Sequence, residues 1–89
     1  MSAGECVEEM VKSGIRGSII VRAMYDQGFN FRETVYALIM AGFIIWCERD
    51  KDQVCLHVSN RPFKDEADLI QNYALEVPPT SFVWPMFLI

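Results

Sequence analysis

Three side chains that could bind a metal or act as nucleophiles lie in the middle of the chain: Cys47, Cys55 and His57. Zinc prefers such ligands, but their spacing lacks the tight C-x₂-C pair of structural zinc sites. If Lys51 and Asp52 form the centre of a turn, strand alternation points Cys47 to one face and Cys55 and His57 to the other. We therefore predict no metal site and no Cys47–Cys55 disulfide.

Catalysis has few candidate residues in this sequence. The single histidine, His57, follows Cys55 by two positions on one strand face, roughly 6 to 7 Å away, which is too far for a direct hydrogen bond. No third group is placed to orient the ring. The sequence contains no Gly-rich phosphate loop, H-E-x-x-H or G-x-S-x-G motif. It therefore predicts a protein that is not an enzyme and has no cofactor.

The length and composition indicate one small acidic domain. The chain has 89 residues, 52% hydrophobic and 22% charged, which excludes disorder for most of it, and its net charge is −4. No apolar run reaches the roughly 18 residues of a membrane-spanning helix. The N-terminus lacks the features of a secretory signal, and three cysteines, an odd number, are typical of reduced thiols. We expect a cytoplasmic protein that does not associate with membranes.

Helix signals divide the first half of the chain into three short helices, each ending at a glycine. Ser2 and Glu5 form a capping box for the first helix, and Asn30 and Glu33 form another for the third, which runs to about residue 41. Ser18 is the expected N-cap of the second helix. Apolar spacing predicts that the following residues face the core: Val7, Met10, Val11, Ile19, Ile20, Ala23, Met24, Phe31, Val35, Leu38 and Ile39.

The apolar pattern then changes to the alternation of strands. Residues 44–49 and 54–58 are predicted to form a β-hairpin. Its core face is expected to carry Ile45, Cys47, Val54, Leu56 and Val58. Asp65 is the expected cap of a fourth helix over about residues 66–75. The inward stripe of this helix is predicted to be Leu69, Ile70, Tyr73 and Ala74. The fold class is therefore α+β, with three short helices, a hairpin, a fourth helix and an extended apolar C-terminal arm.

Three helices followed by a hairpin resemble a winged helix-turn-helix domain. Residues 18–28 correspond to the positioning helix, residues 32–41 to the recognition helix and residues 44–58 to the wing. The phrase Leu38-Ile39-Met40-Ala41-Gly42-Phe43-Ile44 is similar to the leucine, glycine, isoleucine pattern with which many winged helices leave their third helix. The resemblance covers about residues 5–59 and implies DNA binding.

The residues that would have to bind DNA disfavour that function. The outward positions of the third helix are expected to be Glu33, Tyr36, Ala37 and Met40, and the wing tip over residues 48–52 sums to a negative charge. Phosphate binding needs a stripe of cations. Few basic side chains could contact DNA: Arg16, Arg22 and Arg32. A dimeric winged-helix transcription regulator that uses these arginines is the alternative.

We divide the chain into a domain over residues 1–76 and an apolar arm over residues 77–89. Residues 81–89 carry no charged side chain. The arm could pack on its own domain, as an edge strand beside the hairpin or across the first helix. Because Pro85 lacks a backbone donor, the segment is expected to be an edge strand or an extended arm, not a strand inside a sheet. It could also cross to a second subunit or a target. The crossing arm is favoured, since residues 5–75 already supply four helices and a hairpin.

The sequence as a whole predicts a non-catalytic protein-interaction domain that acts as a small regulator or inhibitor by binding a partner protein, with a homodimer expected. In size and charge it resembles small regulators encoded by phages and mobile elements, such as anti-repressors and anti-CRISPR proteins. The predicted protein-binding residues are Glu33, Tyr36, Met40, Trp46, Phe82, Trp84 and Phe87.

Overall fold

The computed structural model describes residues 1–76 and 81–85, which form four helices and one three-stranded antiparallel sheet. The fold class is α+β, as the sequence predicts. The elements in chain order are α1 Ala3–Lys12, α2 Gly17–Asp26, α3 Phe31–Met40, β1 Ile45–Asp50, β2 Gln53–Val58, α4 Glu66–Glu76 and β3 Ser81–Pro85.

Both predicted capping boxes are confirmed. The Glu5 backbone N–H donates to Ser2 Oγ at 3.2 Å, and the Ser2 N–H donates to the Glu5 carboxylate at 3.0 Å. At the start of α3, the Glu33 N–H donates to Asn30 Oδ1 at 2.8 Å, with the reciprocal bond at 3.0 Å. The first three helices are each followed by a glycine with positive φ, as predicted: Gly14, Gly28 and Gly42.

The prediction that Ser18 caps α2 is wrong. The N-cap residue is Arg16, and no side chain caps this helix. The Gly17 N–H instead donates to the carbonyl of Asn60 at 2.9 Å. Gly17 also lies so close to the Ser59 carbonyl oxygen that a Cβ at this position would overlap it. The helix begins earlier because a distant segment of the chain satisfies its first donor.

The core lies between the first three helices and the inner face of the sheet. Its buried hydrophobic residues are Cys6, Val7, Ile20, Val21, Met24, Ala37, Leu38, Phe43, Val54, Leu56, Val58 and Trp84. Outside α4, three residues that the sequence places in the core are exposed: Ile19, Ile39 and Cys47. On α2 the buried face is turned by one position from the predicted stripe, so that Val21 is buried and Ile19 faces solvent.

The hairpin has the predicted register. Ile45 lies opposite Val58 and Cys47 opposite Leu56, with Lys51 and Asp52 in the turn. Strand β2 buries Val54, Leu56 and Val58, whereas every residue of β1 except Ile45 is exposed. Strand β1 is an edge strand, and its core-side residue Cys47 is exposed.

The segment from Ser81 to Pro85 pairs antiparallel with β2, with Trp84 opposite Val54 and Phe82 opposite Leu56. Trp84 is only 1% exposed. The prediction of a crossing arm is therefore wrong for these five residues, which complete the core of their own chain. The prediction that Pro85 lies on an edge strand is confirmed. The rest of the predicted arm, with Phe87, lies outside the described residues.

Helix α4 differs from the other three helices because none of its residues is buried. The predicted inward stripe is wrong: Leu69 is half-buried, and Ile70, Tyr73 and Ala74 are exposed. The predicted cap is confirmed, since Asp65 Oδ1 accepts from the Asp68 N–H at 2.8 Å.

Arg61 holds α4 against the preceding loop. Its two Nη atoms donate to the Asp68 carboxylate at 2.9 and 2.8 Å, and its Nε lies 2.8 Å from Glu76 Oε2. The Arg61 guanidinium and the Lys64 N–H hold the pKa of Asp68 well below its usual range. Polar contacts at both ends of α4 thus take the place of a buried face.

Candidate functional site

The solvent-facing side of α3 carries three large apolar side chains, which we call the α3 patch: Tyr36, Ile39 and Met40. They are 69%, 51% and 73% exposed, respectively. Residues three and four positions apart on a helix lie side by side, so the three side chains form one continuous surface. Moving such an apolar surface out of water lowers the free energy, so its burial by a partner would be favourable.

The opposite side of α3 explains why Ile39 faces outward. This side buries Thr34, Ala37 and Leu38, and α3 packs against both α1 and α2. Small residues such as threonine and alanine allow helices to approach closely. The prediction that Ile39 faces the core and Ala37 faces solvent is therefore wrong. The spacing of Thr34, Ala37 and Leu38 is the sequence signal that could have found this face.

The charges near the start of α3 are mixed. Arg32 and Glu33 are both exposed. The Glu33 carboxylate accepts the Asn30 N–H, so a negative group already occupies the helix N-terminus, where a phosphate would otherwise bind. The other candidate DNA contacts are also exposed: Arg16, which precedes α2, and Arg22 within it. An acidic group at the start of α3 opposes phosphate binding there.

The outer face of the sheet holds the histidine that the sequence singled out. The Trp46 ring stacks on the His57 ring with centroids 4.7 Å apart and planes 7° from parallel. Glu48 Oε1 lies 3.6 Å from His57 Nε2, beyond hydrogen-bond distance. Among the described residues, neither ring nitrogen has a hydrogen-bond partner. The pair of His57 and Cys55 thus lacks the direct bond that nucleophile activation needs.

The two hairpin cysteines face opposite sides of the sheet, as predicted. Cys47 lies opposite Leu56, whereas Cys55 lies opposite Glu48. Partial burial raises the pKa of the Cys47 thiol, which keeps it protonated at neutral pH. Across residues 1–76 and 81–85, no three His, Cys, Asp or Glu side chains are placed to hold a metal ion.

The aromatic residues of β3 lie inside the molecule. The Trp84 ring packs edge-on against Tyr25, with centroids 4.9 Å apart, and against Phe31 at 5.7 Å. Phe82 is half-buried beside the same tyrosine, at 5.3 Å. Both residues were predicted to bind a partner, but Trp84 is buried in the core of its own chain. Val83, in the same strand, is exposed.

No helix within the described ranges is long and apolar enough to span a lipid bilayer. Comparisons of the chain with protein-family models, with curated proteins and with solved structures give no match.

Proposed function

We propose that this chain is a non-catalytic protein-interaction domain that acts as a small regulator or inhibitor by binding a partner protein through the α3 patch. The observation that carries this proposal is the exposure of Tyr36, Ile39 and Met40 on one helical face. Apolar side chains at such spacing are the anchors with which a helix docks into a groove.

The size of the patch is sufficient for a specific contact. Each of the three side chains is worth roughly 1.5 to 3 kcal/mol when it passes fully from water to an apolar site. Since they are between half and three-quarters exposed, covering all three would contribute about 3 to 6 kcal/mol. This is the magnitude of a small hot-spot cluster.

The resemblance to a winged helix-turn-helix domain supports α3 as the binding element, because the corresponding helix is the one that such domains present to their ligand. The outer surface of α3 carries the α3 patch, one arginine (Arg32) and the Glu33 carboxylate, which already accepts a hydrogen bond from the Asn30 N–H. These groups match a protein surface better than a phosphate backbone. The mild acidity and small size are also typical of the regulators that phages and mobile elements encode.

The test compares the wild-type chain with Tyr36→Asp and Met40→Asp as immobilised baits. Ile70→Asp on α4 is the matched control, because Ile70 is 73% exposed, as is Met40, but lies on another helix. We expect the wild type and the control to retain the same partner. A charge within a covered hot spot costs at least about 2 kcal/mol, so the α3 variants should bind roughly 30-fold more weakly.

Circular dichroism should show that all four chains are folded. Unchanged binding by both α3 variants would contradict the proposal. A gel-shift assay with mixed DNA at several salt concentrations tests the alternative. DNA affinity that falls steeply with salt, and is lost on replacing Arg16, Arg22 and Arg32 with alanine, would favour a DNA-binding regulator.

A further inference from the structure

The two edges of the sheet differ in the backbone groups that they present. The Ile44 carbonyl accepts from the Ser59 N–H at 2.9 Å, and the Ile44 N–H donates to Ser59 Oγ at 3.1 Å. Both main-chain groups of Ile44 therefore point toward β2. Because these groups alternate in direction along an antiparallel strand, the N–H and C=O groups of Ile45, Cys47 and Arg49 point away from β2, to the open edge.

The same alternation shows that one of the outward-pointing residues of β3 is a proline. Since Trp46 and Glu48 bond to β2 through His57 and Cys55, Val54 and Leu56 bond to β3 on its other side. Their partners Trp84 and Phe82 thus point inward. Pro85 then points outward, and it has no N–H to offer. A proline at such a position is a common defence against edge pairing, whereas β1 contains no proline.

We propose that a second copy of this chain pairs with the open edge of β1, antiparallel and about a two-fold axis at Cys47. The two three-stranded sheets would join into one sheet of six strands. Every residue of β1 except Ile45 is exposed, including the core-side residue Cys47. A strand from a second copy would cover these exposed residues at the edge of the sheet.

The charge pattern of β1 favours a second copy as the occupant. The strand begins with the uncharged residues Ile45, Trp46 and Cys47 and ends with Glu48, Arg49 and Asp50. An antiparallel copy therefore places the charged half of each strand beside the uncharged half of the other. With Cys47 opposite Cys47 of the second copy, Trp46 faces Glu48 and Ile45 faces Arg49.

Other registers are less favourable. Sliding the copies toward the hairpin tip sets Glu48 opposite Glu48 or Arg49 opposite Arg49, and like charges directly opposite each other are destabilising. Sliding them the other way leaves Arg49 without a partner within β1. The Cys47 register uses all three outward-pointing residues, each of which exchanges two main-chain hydrogen bonds across the interface.

This interface is independent of the α3 patch, and the experiment keeps the two apart. Light scattering and sedimentation should show a dimer for the wild type and for Tyr36→Asp. Cys47→Pro removes an N–H that β2 does not use, so this variant should stay folded while its dimer dissociation constant rises at least tenfold. Cys55→Ser, on the other face, should leave the dimer intact.

A short bismaleimide checks the register. It should join two copies of Cys55→Ser through Cys47 and should not join two copies of Cys47→Ser; Cys6 is buried and should react in neither. A wild-type chain that stays monomeric up to millimolar concentration would overturn the proposal. A dimer that survives in folded Cys47→Pro would also overturn it, as would β1 amides protected from exchange only when a different protein is added.

Discussion

Replacing Trp84 with alanine tests whether β3 completes the core of its own chain. The indole is 1% exposed and packs against Tyr25, Phe31 and Phe82. Removing a buried tryptophan side chain takes away its transfer free energy and leaves a cavity, at a total cost of about 3 to 5 kcal/mol. At 0.05 to 0.15 kcal/mol per residue, a chain of 89 residues has roughly 4 to 13 kcal/mol of stability.

The substitution should therefore remove a large share of the free energy of unfolding. Truncation after Thr80 should be more severe, because it also removes Phe82 and leaves the β3-facing backbone groups of Val54 and Leu56 without strand partners. We expect the truncated chain to be unfolded or to aggregate.

Urea unfolding followed by circular dichroism measures these effects. Val83→Ala is the matched control, because Val83 lies in the same strand but is 46% exposed on the outer face, and it should cost less than about 1 kcal/mol. If Trp84→Ala unfolded at the same urea concentration as the wild type, or if the truncated chain remained folded, the placement of β3 would be refuted.

Two further predictions concern contacts that the sequence does not reveal. Arg61→Met should loosen α4 and lower the helical circular dichroism signal. Because the pKa of Asp68 is depressed in the folded chain, the stability that the wild-type contact contributes is complete above about pH 4 and declines as the pH falls toward the folded-state pKa. The two proteins should therefore differ most near neutrality and least in strong acid. Gly17→Ala should lower the unfolding midpoint, because its Cβ would overlap the Ser59 carbonyl oxygen. Gly4→Ala in α1 is the control: its Cβ meets no atom within 4 Å, so this substitution should raise the midpoint. Equal midpoints for the two variants would contradict the close approach of α2 to residue 59.

The features that the sequence determined by itself depend on neighbouring residues. Ser2 with Glu5, and Asn30 with Glu33, satisfy helix donors three positions away, so no other element is needed to predict them. The hairpin register also follows from a short turn and alternating side chains. The position of Pro85 on an edge strand follows from the proline itself, because its nitrogen has no hydrogen to donate to a neighbouring strand.

Other features depend on which parts of the chain come together in space. Arg16 replaces Ser18 at the start of α2 because the Asn60 carbonyl satisfies the Gly17 donor. The α3 patch includes Ile39 because the close packing of α1 and α2 against α3 selects Thr34 and Ala37 for the buried side.

The positions of β3 and α4 were likewise decided only by the tertiary structure. The apolar residues around Trp84 fit a core or an interface equally well, and only the pairing of β3 with β2 places Trp84 inside. The apolar side of α4 predicted burial, yet Arg61 holds this helix by its polar groups. A sequence pattern gives the side of an element that prefers to leave water, but burial requires a second surface, and long-range packing supplies it.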